Sequence, residues 1–406
     1  MSLIREIPPT AGWPLTIKSL ISSSFKKHPR GLLEEDFKRY LGVAGALLTY
    51  SGSAAFYLIL ETIKKISNRK TVIIPAFICP LIPLAIKRAG LQVKVCDTYA
   101  HNFDFDVNKL KSICKGNNDI LAILAVHLGG LPIDLDALRE ITQTQNIFII
   151  EDCAQSLGAQ YHHKKTGTLG DFSFFSLCRG KGLSIYEGGM AVANQTKYIQ
   201  ILEETAGKIM QQDLPSEYLK IAELFAYSIF YRPSLFWFAF RLPQIFWKTC
   251  HKPIKAMGEY FDFDFPVHKV SAFREYIGHL NFPCLGGKIN AQRKKVDIYL
   301  KGLNNLAWVQ PIVQLPETEA SYPYLTLIFN DCKKRDLVLH TLRNSGLGIS
   351  QIYLYAITDY AYLKNIIPDA DCPNSRLLAE RTITLSTSSF LKEDDLQNII
   401  KKLKKI

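Results

Sequence analysis

Between residues 50 and 195 the chain alternates short, unbroken apolar runs with stretches of helical spacing. The runs "TVIIP" (71–75), "VKVCD" (93–97), "ILAILAVHL" (120–128), "FIIED" (148–152) and "FSFFSL" (172–177) are rich in β-branched or aromatic residues. Runs of this kind predict strands buried on both faces. Between them, "LIPLAIKRAG" (81–90) and "LDALREITQTQN" (135–146) carry apolar residues at helical spacing, the first closed by Gly90. The alternation predicts an α/β fold with a mostly parallel central sheet flanked by helices. Ligands of such sheets bind beyond the carboxyl ends of the strands, so the polar residues at those ends are the candidates for chemistry.

Further along the pattern changes. Residues 218–255 are dense in Phe, Trp, Tyr and Ile. A membrane-spanning helix needs roughly 20 apolar residues without a break, and Arg232-Pro233 and Arg241-Leu242-Pro243 interrupt this one. Two or three short apolar helices are expected, serving either as a subunit interface or core insertion, or as a contact with a membrane surface or lipid. After residue 265, "SYPYLTLIF" and "RTITLSTS" predict strands, and "KKRDLVLHTLRNSGLG" and "KEDDLQNIIKKLKKI" predict amphipathic helices. The expected organisation is an N-terminal arm over 1–40, a large domain over 41–260 with an aromatic insertion at about 200–260, and a smaller α+β domain over 261–406 joined by the arm.

Composition narrows the class. At 48% hydrophobic and 21% charged residues, the 406-residue chain has a globular composition and no long disordered tract is expected. The formal charge of +12 is spread along the chain except for the terminal "KKLKKI", which reads as the solvated end of a helix. No nucleic-acid-binding signature is present, so nucleic acid is not expected as a partner. A basic surplus suits anionic substrates or an acidic membrane surface. The nine cysteines are scattered without C-x-x-C spacing and read as reduced core residues. The start, "MSLIREIPPTAGWP", lacks the apolar block of a signal peptide. A cytoplasmic protein is expected, with possible peripheral contact with the membrane's inner face through 218–250.

Three strand-end segments carry candidate chemistry. "SGSAAFYLIL" (51–60) is a small-residue turn entering a helix, whose first amides can hold a phosphate or form an ordinary N-cap. "FIIEDCAQSLGA" ends a strand on Glu151-Asp152, and Asp152 reads as a helix cap, a metal ligand or the partner of a cationic ring nitrogen. "SLCRGKGLSIYEGG" (176–189) places Lys181 between two glycines just beyond the next strand. Burial disfavours an ammonium ion, and the free amine so produced can form an imine with an aldehyde cofactor. Flanking glycines would let the backbone approach a flat ligand. Phosphate cradle, acid and amine are the parts that pyridoxal 5'-phosphate requires. His127, in "VHLGG", reads equally as a structural or an active-site histidine.

On "SGSAA", "VHLGGLPIDLDAL", "IIEDCAQSLGAQY", "GTLGDFSFFSL" and "KGLSIYEGGMAVAN", the chain resembles the DegT/DnrJ/EryC1/StrS family of sugar aminotransferases, over about residues 40–195 and more weakly to the C-terminus. The resemblance implies a fold type I pyridoxal-phosphate transferase, a homodimer with shared active sites, an amino donor such as L-glutamate, and a keto acceptor on a nucleotide-linked sugar. By motif, Lys181 would be the imine-forming, proton-shuttling lysine and Asp152 the partner of the pyridine nitrogen. Gln155 would reach the ring's 3'-oxygen, and Ser176 with Gly52 and Ser53 would hold the phosphate. The chain departs from the family at Cys79, where an aromatic residue often covers the ring. It departs again at "VHKVS" (267–271), which aligns with the family's "NYRMS" and puts Val267 in place of the asparagine lent to the neighbouring subunit. That leaves Lys269, or less directly His268, for the contact. Related dehydratases place histidine where Lys181 stands. Two other readings stay open: a cofactor enzyme acting on a lipid-linked substrate, and a non-catalytic scaffold on the same fold.

Overall fold

The computed structural model describes residues 5–143 and 145–406; the opening "MSLI" of the arm lies outside them. Seven strands form the central sheet: β1 (Gly45–Thr49), β2 (Thr71–Pro75), β3 (Gln92–Cys96), β4 (Ile120–Val126), β5 (Phe148–Asp152), β6 (Phe172–Ser176) and β7 (Gly189–Ala193), in the order β1-β7-β6-β5-β4-β2-β3. The pairs within β6-β5-β4-β2-β3 are parallel, and β7 pairs antiparallel with both β6 and β1. β4 is buried at every position and β7 likewise, which is why their sequences are continuous apolar runs rather than alternating ones. The run ending "VHL" stops being a strand at Val126, because a short turn over Leu128–Gly130 takes the chain away from the sheet.

Helices cover both faces. The Gly52–Ile63 helix is capped by Ser51, whose hydroxyl accepts from the Ala54 amide, and most of its residues are buried against β6, β7 and the Leu81–Arg88 helix. The smaller unit is built on β8 (Val309–Ile312), β9 (Tyr324–Phe329) and β10 (Thr382–Ser386), all antiparallel. Its helices Leu285–Leu303 and Glu393–Lys405 pack together, the latter with acidic residues in its first turn and lysines in its last, as the helix dipole favours.

The N-terminal segment belongs with this unit. Arg5 pairs with Asp395 at 2.8 Å, Ser386 donates to the Pro8 carbonyl at 2.6 Å, and the Ala11 amide donates to the Pro323 carbonyl at 2.8 Å. The two units interleave, since the Ala272–Asn281 helix lies against Leu32–Leu41 and shares a core with Trp13 and Phe175.

The aromatic block is helical throughout, over Leu214–Phe230, Pro233–Phe236, Leu242–Thr249 and Pro253–Met257. Arg232 breaks it with an extended backbone, whereas at Pro243 the chain stays helical and the preceding turn, Trp237–Arg241, widens to π geometry. A proline offers no amide to the turn before it, and the wider turn absorbs the loss. Among the described residues no helix is long and apolar enough to cross a membrane.

Candidate active site

The ends of β1, β6 and β7 meet at one point. Gly189 pairs with Thr49 on one side and with Ser176 on the other. A side chain on Gly189 would lie 2.2 Å from the Ser51 carbonyl oxygen and 2.6 Å from the Gly52 nitrogen, and one on Gly52 would lie 3.1 Å from the Ser176 Cβ. Only glycines let the strand end, Ser176 and the start of the Gly52–Ile63 helix come this close. The first amides of that helix, at Gly52 and Ser53, precede any intrahelical acceptor, so a small anion seated beside Ser176 would meet N–H donors at the positive end of a helix. Ser176 and the first amides of the helix are thus held together with no room for a side chain between them.

One strand away, β5 ends on two acids that face opposite sides. Glu151 is fully buried and accepts from the amides of Gly167 (2.7 Å), Leu169 (2.7 Å) and Gly170 (2.6 Å) and from His127 Nε2 at 3.0 Å. The Ile133 amide donates to His127 Nδ1 at 3.2 Å, so both ring nitrogens are engaged and His127 is structural. Burial would raise the Glu151 carboxyl, but His127 and the loop amides hold it below the usual range.

Asp152 is also buried, yet it accepts only from the Ala154 amide, at 2.9 Å on Oδ1. Burial pushes its carboxyl up to about 6, opposed by that amide and by the charges of Lys181 and His127. Oδ2 has no hydrogen-bond partner among the described residues. A buried carboxylate short of donors is the partner that a protonated ring nitrogen needs. Cradle and acid together fit pyridoxal phosphate.

Lys181 lies in the turn after β6, its amide donating to the Cys178 carbonyl at 3.2 Å. It is half-buried rather than buried. It lines a small cavity together with Ser176, Gly180, Gln155 and Thr10. Gly180 has φ +80°, a conformation that disfavours a side chain. Gly182 shows neither a positive φ nor a protein atom within 4 Å of where a Cβ would sit.

The other candidates fall into two groups. Gln155 and Cys79 are close to the acid. Gln155 accepts through Oε1 from the Gly129 amide (3.0 Å) and the Tyr324 hydroxyl (2.5 Å), which leaves its Nε2 donors to face the cavity. Burial pushes the Cys79 thiol up to about 12, with Lys181, Asp152 and Glu259 nearby. Lys269 and His268 are on a separate surface. Lys269 is exposed, whereas His268 is buried, its ring tilted against Tyr50 at 4.1 Å and hydrogen-bonded at Nε2 to Ser216 (3.1 Å) and at Nδ1 to the Lys269 carbonyl (3.1 Å). His268 is thus tied into its own chain, and Lys269 alone of the two is free to reach outward.

Sequence reasoning missed the parts that come from far along the chain. Thr10 from the arm and Gln292, Ser321 and Tyr324 from the smaller unit line the Lys181 cavity. Glu259 accepts from the Tyr360 hydroxyl (2.6 Å) and the Leu354 amide (3.1 Å), and burial pushes it up to about 7. Tyr353 stands edge-on to Phe77 at 5.3 Å, its hydroxyl held well above the usual range by burial, with Cys79, Tyr324, Asp152 and Glu259 nearby. No spacing rule could have joined these residues. The one local signal was the tyrosine-rich strand "SYPYLTLIF".

Comparison with known proteins places this arrangement. A family model described as the DegT/DnrJ/EryC1/StrS aminotransferase family matches residues 25–212 and 270–404. A GDP-perosamine synthase from Escherichia coli O157:H7 is 34% identical over 161 residues, 40% of this chain and 43% of that protein. A GDP-4-keto-6-deoxy-D-mannose 3-dehydratase from Yersinia pseudotuberculosis is 32% identical over 174 residues, 42% of this chain and 44% of that protein. The matched stretch thus spans less than half the length of these curated relatives. In structure, Helicobacter pylori PseC, an aminotransferase involved in the biosynthesis of pseudoaminic acid, superposes with a TM-score of 0.77 at 15% identity, covering 99% of both chains. The fold is that of the fold type I pyridoxal-phosphate transferases.

Proposed function

The chain belongs to the DegT/DnrJ/EryC1/StrS aminotransferase family, whose cofactor is pyridoxal 5'-phosphate, and on that premise we propose that it transfers an amino group from an amino acid, L-glutamate by preference, to the keto group of a sugar on a phosphorylated carrier. The observation that carries this reading is the convergence of the Gly52–Ser176 cradle, the donor-poor Asp152 and Lys181 on one side of the sheet. The relatives' names carry GDP-linked sugars, so nucleotide-linked keto sugars are the first acceptors to test. The dehydratase relative leaves a second chemistry to weigh, and the amine of Lys181 after β6, where histidine would serve a dehydratase, favours transamination.

The bound cofactor supplies an electron sink for the carbanion formed next to the transferred nitrogen. The chain's residues supply the rest. Lys181 Nζ would take the proton from the carbon bearing the nitrogen and return one to the carbon on the other side of that nitrogen, acting as base and then acid. Asp152 stays ionised once a cationic ring nitrogen sits beside it, and its negative charge keeps that nitrogen protonated. Gln155, oriented by Tyr324 and Gly129, donates to the ring oxygen. Ser176, Gly52 and Ser53 would anchor the phosphate, and Cys79 would lie against the ring. In a dimer, Lys269 of one copy reaches the phosphate site of the other.

The test is spectroscopic. Protein incubated with pyridoxal phosphate and freed of excess should keep a visible absorption band that L-glutamate removes and a keto-sugar nucleotide restores. A protein that retains no cofactor after gel filtration would sink the reading.

A further inference from the structure

The family model leaves residues 213–269 unmatched, and that segment builds a groove of about 650 Å³ beside the candidate site. Its walls are aromatic. Tyr227 and Tyr231 stack at 4.6 Å, Phe236 and Phe240 at 4.9 Å, and Tyr231 meets Phe236 edge-on at 5.4 Å. Trp247 closes the far end, with Lys255 5.3 Å from its ring. The volume is that of a site for an organic ligand.

Three observations say what the groove takes. Thr10 and Gly180 line both the groove and the Lys181 cavity, so a molecule in the groove leads to the amine. Arg179, next to Gly180, is exposed where the two spaces meet, as an anionic link would require. The helices that build the groove also carry exposed apolar residues: of the 18 large hydrophobic residues exposed among the described residues, nine fall within 214–246, including Ile229, Leu242, Ile245 and Phe246. The groove also carries Arg179, Glu223, Gln244 and Lys255, which can partner the polar edges of a nucleobase, but a nucleobase would leave the exposed apolar surface of these helices uncovered. A hydrocarbon chain loses nothing there and can run out along the exposed apolar face.

We propose that the groove holds the hydrocarbon chain of the amino acceptor's carrier, with Arg179 at its phosphates. The acceptor is then a keto sugar joined through phosphate to a long apolar chain. This rests on the aminotransferase reading and differs from it in the carrier alone.

The probe is farnesyl diphosphate, titrated by calorimetry into protein loaded with pyridoxal phosphate, against inorganic pyrophosphate and GDP. Farnesyl diphosphate is expected to bind at least about tenfold more tightly than either. Ala239→Trp, an exposed alanine turned into a plug, is expected to weaken it by about tenfold or more. Equal affinity for the three probes, tighter binding of GDP, or an unchanged titration in Ala239→Trp would overturn the proposal. Should that variant melt early, Arg179→Gln takes its place with the same expected loss. If a second copy of the chain fills the groove instead, the wild type ignores the probe and Ala239→Trp changes the sedimentation of the dimer, which also overturns it. Cofactor retention and its spectral response to L-glutamate are read on the same sample. If those fail the aminotransferase reading falls, and if they hold while farnesyl diphosphate is ignored only the carrier is wrong.

Discussion

Glu151 and Asp152 are neighbours on one strand, and the two faces they point to differ in a way that separates architecture from chemistry. On the Glu151 side, three loop amides and His127 converge on a carboxylate that is fully supplied with donors. On the Asp152 side, a buried but slightly more accessible carboxylate has a single amide and is pushed up to about 6 by burial. Burial alone therefore does not mark a functional acid. What marks it is burial without enough donors, a deficit that a cationic ligand can fill.

The largest effect that would sharpen this contrast is at the amine facing Asp152. Lys181→Ala is expected to cut amino transfer by about a thousandfold or more, the loss typical of removing a proton-transferring group, while the melting temperature stays close to wild type. Single-turnover rates with L-glutamate and a calorimetric melt check both halves, and a variant that retains most of the rate would break the assignment.

Asp152→Asn is expected to slow the reaction by about a hundredfold, in the range seen when one preorganised electrostatic partner is lost. Glu151→Gln should do the reverse. Its amide group would point a donor at loop amides that are themselves donors, costing about 3 kcal/mol as for a broken buried charge network, with turnover per folded molecule preserved. Denaturant melts set beside active-site titration distinguish the two variants. If Glu151→Gln lost activity without losing stability, the comparison between the faces would collapse.

A smaller effect reads the same contrast through pH. In the protein without cofactor, Asp152 holds its proton up to about 6, while in the unfolded chain it is a normal acid with a pKa of roughly 4. Between those values the unfolded state releases the proton first, so stability falls as pH rises from about 4 to about 6. Asp152→Asn should remove that fall, about 3 kcal/mol, measured as the difference between the stability profiles of variant and wild type. Glu151, held low, contributes the opposite sign: its share is present above the ordinary carboxylate range and is lost as pH drops below it. The smallest effect is expected at the cradle. The methyl group of Gly52→Ala, 3.1 Å from the Ser176 Cβ, should weaken cofactor retention by about tenfold, read by equilibrium dialysis.

Much of this was legible in the chain. Four runs became strands within a residue or two of their expected ends: three are buried on both faces, where continuous apolar sequence is needed, whereas β3 is an edge strand with Gln92 and Lys94 exposed, against the expectation of burial on both faces. The one overextended run, "ILAILAVHL", failed at His127, whose ring is drawn out of the sheet's continuation by Glu151 and the Ile133 amide. Asp152 and Lys181 stood out in the sequence because one ends a strand and the other lies just beyond the next, whereas Ser176 was named through the family resemblance. The segment after residue 213 was read as two or three short apolar helices at an interface, in the core or against a membrane surface or lipid, but composition carries no information on which faces of several short helices will line a groove.

By itself the sequence determined the strands, the sheet class, and that two acids at the end of β5 must face opposite sides, since side chains alternate along a strand. It did not determine which acid would be filled. That was decided when the Gly167–Gly170 loop folded onto Glu151 and left Asp152 facing Lys181. Nor could it show that Tyr324, 169 residues away, would orient Gln155, or that Thr10 would join the groove to the amine. Such contacts depend on how distant segments close upon one another. Hydrophobic patterning fixes which face each element buries, but leaves its partners to the tertiary fold.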